Sequence, residues 1–253
     1  MAPTYVVGVP GSNGSTAEAA PLFSAYDSHK SSRRFAVTGP YDSRPGDPLS
    51  RLEDQQPGAT GRVEDIRAEK AALRVSALAR RDAFAPEARL SASKSFASSG
   101  PSALGDVRGA LVSGFWPIRS ELDPRWLMRE LAAQGVNLAL PCIEYGRLVF
   151  RQFAFGDRLR KVGFGLSQPF AESALVDPEI MLVPLAAFDR DCGRIGYGKG
   201  YYDGAIGRQT EKGRPPRTLG LAFACQEVEK VPLEPHDQRL EAILTECELI
   251  RPR

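Results

Sequence analysis

A chain of 253 residues with 33 Lys and Arg against 31 Asp and Glu, and 42% hydrophobic residues, has the balance of an ordinary soluble globular protein. Its formal charge of +2 gives no general reason to expect nucleic acid or an anionic membrane as a partner. Cys142, Cys192, Cys225 and Cys247 are too widely spaced for a zinc site with only His29 and His236 to help, no apolar run nears the roughly 20 residues that cross a bilayer, and no h-region marks a secretory signal, so the expected compartment is the cytoplasm.

Residues 1–62 carry Gly, Pro, Ser and charge but few apolar positions, as in "DSRPGDPLSRLEDQQPGATG". Such a segment buries too little apolar surface to offset its ordering entropy and is expected to be a disordered extension. A mitochondrial transit peptide is the sharper alternative, but Glu18 and Asp27 precede the first basic residues, Lys30 and Arg33. The single folded domain is expected to run from residue 63 to 253.

"VEDIRAEKAALRVSALARRDAF", from Val63, has helical composition. At 100° per residue Val63, Ile66, Leu73, Ala77 and Phe84 share a face, and Arg67, Lys70, Arg74 and Arg81 fall within an arc of roughly 60° beside it. Cations on that rim either snorkel over apolar neighbours or reach toward a ligand. A Ser-rich helix follows in "PEARLSASKSFASS", and "VRGALVSGFWPI" reads as a strand running into a loop. In "SELDPRWLMRELAAQG" Asp123 is the expected N-cap, Pro124 the first helical residue and Gly135 the stop. "VNLALP" is a strand closed by Pro141, "RLVFRQF" another, and the apolar run Ile180–Val183 suits a strand buried on both faces. "RTLGLAFA" repeats that character and "AILTECELI" does so weakly. Strands alternating with helices predict a three-layer α/β/α domain with a largely parallel sheet.

"GRIGYGKGYYD", Gly193 to Asp203, nearly spells the phosphate loop of nucleotide hydrolases, but Gly200 stands where the hydroxyl that holds magnesium is required. Its glycines permit close approach of backbone N–H groups to an anion, and Arg194 and Lys199 supply charge. Tyr201, Tyr202 and Asp203 look like the opening of a helix, whose N-terminus favours phosphate. A bare run of glycines is more often a tight turn. Asp203 alone would be read as a capping acid, Trp116 as a core aromatic and Glu121 as a surface acid.

The longer stretch "MLVPLAAFDRDCGRIGYGKGYYDGAI" is very similar to the signature of 5-formyltetrahydrofolate cyclo-ligases, also called 5,10-methenyltetrahydrofolate synthetases. The likeness extends to Lys70 and Arg74, to "GFWPIRSELDP", to "LALP" and to "LGLAFACQEVEKVPLEPHDQRLEAILTE", although Gln168 stands where many members carry Glu. The resemblance implies ATP-dependent, Mg2+-requiring closure of 5-formyltetrahydrofolate, and of its polyglutamates, to 5,10-methenyltetrahydrofolate with release of ADP and phosphate. It implies Lys70 and Arg74 as ATP phosphate ligands. Arg194, Ile195, Gly196, Tyr197, Gly198, Lys199, Gly200, Tyr201 and Tyr202 would form the nucleotide loop, with Arg194 and Lys199 stabilising developing charge. Tyr197 through Tyr201 would also face the formyl-bearing pterin, Trp116 and Glu121 would hold the folate, and Asp203 and Asp237 the magnesium ion. A monomer without nucleic-acid or membrane partners is expected. A regulatory module keeping only the fold, or an ATP-independent sugar isomerase, are the competing readings.

Overall fold

Ile180–Pro184 is almost wholly apolar and forms a central strand of the sheet, with Met181, Leu182 and Val183 fully inaccessible. The structure, a computed structural model, describes residues 58–252, which lie in one compact unit. The expectations for residues 1–57 fall outside the described residues, while residues 58–62 open the first helix, α1 (Gly58–Ala83).

The main sheet has eight strands. Numbered in chain order, the strands are β1 (Leu111–Ser113), β2 (Asn137–Glu144), β3 (Arg147–Phe153), β4 (Leu159–Lys161), β5 (Ser167–Pro169), β6 (Leu175–Val176), β7 (Ile180–Pro184), β8 (Ala187–Phe188), β9 (Arg194–Ile195), β10 (Arg217–Leu221), β11 (Ala242–Leu244) and β12 (Leu249–Ile250). Across the main sheet the order is β12-β11-β10-β7-β1-β2-β3-β6, while β4–β5 and β8–β9 form two small antiparallel ribbons. Pairings among β2, β1, β7, β10 and β11 are all parallel, and the outer strands join antiparallel.

Successive side chains of a strand point to opposite faces, so β7 feeds two cores. Ile180 and Leu182 join the core built with α2 (Pro86–Leu104) and α3 (Arg125–Ala133), through Phe96, Leu127, Met128 and Leu131. Met181 and Val183 join the other, with Ala205 and Ile206 of α4 (Tyr201–Glu211). The domain is therefore the expected three-layer α/β/α arrangement. Gly220 of β10 faces this second core, where an added Cβ would come within 2.7 Å of Leu240, 2.9 Å of Leu185 and 3.1 Å of Ile243. Gly220→Ala is accordingly expected to cost about 1–3 kcal/mol, read as a lower urea midpoint with unchanged m.

Three local expectations are corrected. Helix α3 starts at Arg125, with Pro124 rather than Asp123 in the cap position. Asp123 instead accepts from the Arg125 N–H at 3.0 Å, a side-chain turn made one residue earlier. Gly135, at φ 85°, does end the helix segment. Strand β2 continues through Pro141 because β1 pairs with it only as far as Ala139, and an open edge tolerates the missing N–H. Finally, "AILTECELI" holds two antiparallel strands, β11 and β12, around a turn in which Thr245 Oγ1 accepts from the N–H groups of Cys247 and Glu248.

Candidate functional site

Taken in chain order, the parallel strands β1, β2, β7, β10 and β11 lie in the spatial order 2-1-3-4-5. The direction of strand addition reverses between β1 and β7. In open α/β sheets ligands bind beyond the carboxyl ends of strands at such a switch point. The segments leaving these two strands are "GFWPIRSEL", after β1, and the stretch through β8 and β9 to the glycine loop, after β7. Topology alone thus brings the two sequence-predicted ligand segments to one crevice.

The glycine loop is held from below by an unforeseen residue, Asp189. Its buried carboxylate accepts from the N–H groups of Gly193 at 2.8 Å, Asp191 at 3.0 Å and Val231 at 2.8 Å, which folds the tight β8–β9 ribbon. Arg194 leaves this ribbon buried, with Nη2 2.9 Å from Asp203 Oδ1. The contact is close but poorly aligned, since Arg194 Nε and Nη2 make no hydrogen bond among the described residues. Gly198 and Gly200 adopt φ of 86° and 62°, conformations in which an L side chain is strained, and Gly200 caps α4. Lys199 between them is exposed.

Helix α1 covers the loop, and its cations are more than rim decoration. Arg74 Nε donates to the Gly196 carbonyl at 2.7 Å. Lys70 is buried and donates to Glu234 at 2.9 Å and to Asp237, while Arg67 donates to Glu234 at 3.1 Å. The Lys70 hydrogen bond holds the Glu234 carboxyl below its usual range. Glu234 was not singled out from sequence; its only signal is its place three residues before Asp237. Of the two predicted magnesium acids, Asp237 lies in this turn and Asp203 reaches it by accepting at 3.0 Å from the N–H of Gln238, the residue after Asp237. Glu234, His236 and Asp237 each offer a ligand atom within 4.8 Å of the others. Carboxylate oxygens beside a cationic glycine loop suit magnesium, which takes few protein ligands alongside substrate oxygens. The exposed His236 lies 3.9 Å from Asp237.

Across the crevice, Glu121 Oε2 accepts from the Ile118 N–H at 2.9 Å, with the Tyr197 hydroxyl nearby. Burial raises the Glu121 pKa against the opposing pull of these groups and of Arg81 and Arg119. Tyr197 exposes 37% of its surface, but its hydroxyl is turned inward, and burial together with the Glu121 charge pushes it up to about 12. Burial raises the Tyr202 hydroxyl as well. Tyr202 Oη and Ser113 Oγ, at the end of β1, are buried without hydrogen-bond partners among the described residues. With Arg194 they supply unsatisfied polar groups on segments that meet at the crevice, where a polar ligand would satisfy them. Trp116 has other partners: it meets Phe153 edge-on at 6.0 Å and lies under the Arg125 guanidinium at 4.9 Å.

A raised folded-state pKa means that folding disfavours the ionised form of Glu121. The cost is absent where the folded and unfolded carboxyls are both protonated, grows as pH rises from the ordinary carboxylate value, and is complete above the folded one. Glu121→Gln is therefore expected to raise Tm by a few degrees at neutral pH, with a gain that vanishes in acid. A Tm gain that persists unchanged in acid would contradict this assignment.

The model of the 5-formyltetrahydrofolate cyclo-ligase family matches residues 66–246. A 5-formyltetrahydrofolate cyclo-ligase of Haemophilus influenzae is 30% identical over 140 residues, covering 53% of this chain and 74% of the relative. That of Escherichia coli K12 is 30% identical over 146 residues, covering 55% and 79%. The solved 5,10-methenyltetrahydrofolate synthetase of Aquifex aeolicus superposes with a TM-score of 0.60 at 26% identity, over 73% of this chain and 93% of that one. With the fold, the glycine loop and the matched span in agreement, the chain belongs to the 5-formyltetrahydrofolate cyclo-ligase family.

Proposed function

We propose that the chain closes 5-formyltetrahydrofolate to 5,10-methenyltetrahydrofolate at the expense of ATP, in a magnesium-dependent reaction. The observation that carries this reading is the meeting, at the β1/β7 switch point, of a cationic glycine loop with the turn that bears the half-buried Glu121, the two joined by Arg81 through Tyr197 and Ser120. A formamide oxygen is a poor leaving group. Transfer of the γ-phosphoryl to it breaks the bond to ADP and makes the formyl carbon electrophilic; N10 then attacks that carbon, loses its proton, and phosphate departs with the former formyl oxygen. Such transfer needs chiefly positioning and charge stabilisation.

In this reading Lys199 and the Arg194 guanidinium meet the charge developing on the phosphoryl oxygens, and Arg74 holds the loop by its Gly196 carbonyl. Asp203 and Asp237 would hold magnesium, which when bound neutralises phosphate charge. Lys70 and Arg194, paired here with Asp237 and Asp203, would then have phosphate oxygens as alternative partners. Glu121 accepts from pterin N–H groups, Tyr197 and Tyr201 line the pterin side, and Trp116 offers its ring to the folate. Polyglutamylated folates are accepted, and the chain acts as a cytoplasmic monomer without nucleic-acid or membrane partners. No helix of the described residues is long and apolar enough to cross a membrane.

The test is the absorbance of the methenyl product from 5-formyltetrahydrofolate at neutral pH, with and without Mg-ATP. Product only with Mg-ATP is expected. Product without ATP would favour an isomerase-like reaction, and none under either condition would favour a module that keeps the fold alone.

A further inference from the structure

Arg81 is the largest of the fully buried side chains, at 2% exposure, in the last turn of α1. A guanidinium taken out of water costs several kcal/mol unless its donors are used. Arg81 Nε donates to Ser120 Oγ at 3.1 Å and Nη1 to the Tyr197 hydroxyl at 3.0 Å. Ser120 in turn donates its own proton to Asp82, and its chain neighbour is Glu121. One side chain on a rigid helix therefore grips both loops of the crevice, the turn after β1 and the glycine loop after β9.

Resting on the function proposed above, we propose that Arg81 is a positioning residue, tying Ser120, the neighbour of Glu121, to the Tyr197 hydroxyl so that the pterin-binding carboxylate and the nucleotide loop are presented in one register. A guanidinium suits this because its donors form a fixed fork with a separate nitrogen for each hydroxyl, whereas a lysine ammonium is a single point charge that must reach both from one nitrogen. The ionisable groups facing Glu121 are Arg81 from α1, Arg119 from its own loop, Tyr197 from the glycine loop and Tyr202 from α4.

The test compares Arg81→Lys and Arg81→Met with the parent chain, measuring Tm, kcat, KM for each substrate and the pH profile of kcat/KM. The acid limb of that profile reports ionisations of the free enzyme. Arg81→Lys keeps the charge and loses the span, so the KM for 5-formyltetrahydrofolate is expected to rise about tenfold, with a smaller change in kcat. Arg81→Met also removes the charge that favours ionised Glu121, so its acid limb is expected at higher pH. An arginine that serves only the fold would lower Tm without moving the limb or splitting KM from kcat. Should Arg81→Met fail to fold, the calorimetric Kd of Arg81→Lys for 5-formyltetrahydrofolate carries the same prediction. Folded variants with parental KM, Kd and acid limb overturn the inference alone; a parent chain that makes no product with Mg-ATP overturns the proposed function and this inference with it.

Discussion

Lys199→Ala is expected to lower kcat for methenyl formation by about 10²- to 10³-fold, the loss typical of removing one preorganised donor from developing charge. The loop conformation around it rests on the left-handed Gly198 and Gly200 and on the Asp189 hydrogen bonds, not on the lysine side chain. Because Lys199 is exposed, Tm should stay within about 2 °C of the parent, as for other surface substitutions. Loss of turnover with retained fold places the lysine in the chemistry. Near-normal turnover would remove it from the mechanism and leave Arg194 as the cation of the loop.

Asp203→Asn is the second large effect. The amide keeps an oxygen for the Gln238 N–H but removes the charge that offsets Arg194 and that would draw magnesium. The Mg2+ concentration for half-maximal rate is expected to rise at least about tenfold, and kcat at ordinary Mg2+ to fall by about 10²-fold or more. Stability should fall too, by up to about 3 kcal/mol, since Arg194 would sit buried without a carboxylate. Partial recovery of rate at high Mg2+ would separate metal binding from that structural damage. A variant that needs no more Mg2+ than the parent would take Asp203 out of the metal site.

Elements with a strong local pattern were legible in the chain. The apolar runs of β7 and β10 and the stop at Gly135 all owe their structure to residues adjacent in sequence. So did the glycine loop, because its backbone demands glycine at Gly198 and Gly200 wherever the loop is placed. What was not legible depends on partners far along the chain. Strands β8 and β9 have two residues each and exist because Asp189 collects three N–H groups, one from Val231. On a helical projection Arg67 and Arg81 are equivalent cations beside an apolar face; in the fold one is largely exposed, and the other is buried under Ser120 and Tyr197. Glu234 and Lys70 lie 164 residues apart, and nothing local announces that they meet. The switch point itself is a property of strand order, readable only once β7 is seen beside β1.

Phosphorylation of the formyl oxygen by ATP is the step on which the proposed reaction depends. It is tested most directly by supplying 5-formyltetrahydrofolate labelled with ¹⁸O in the formyl group and analysing the phosphate released during a single turnover. One ¹⁸O is expected in each phosphate formed with methenyl product. Unlabelled phosphate, with the label recovered in water, would contradict it.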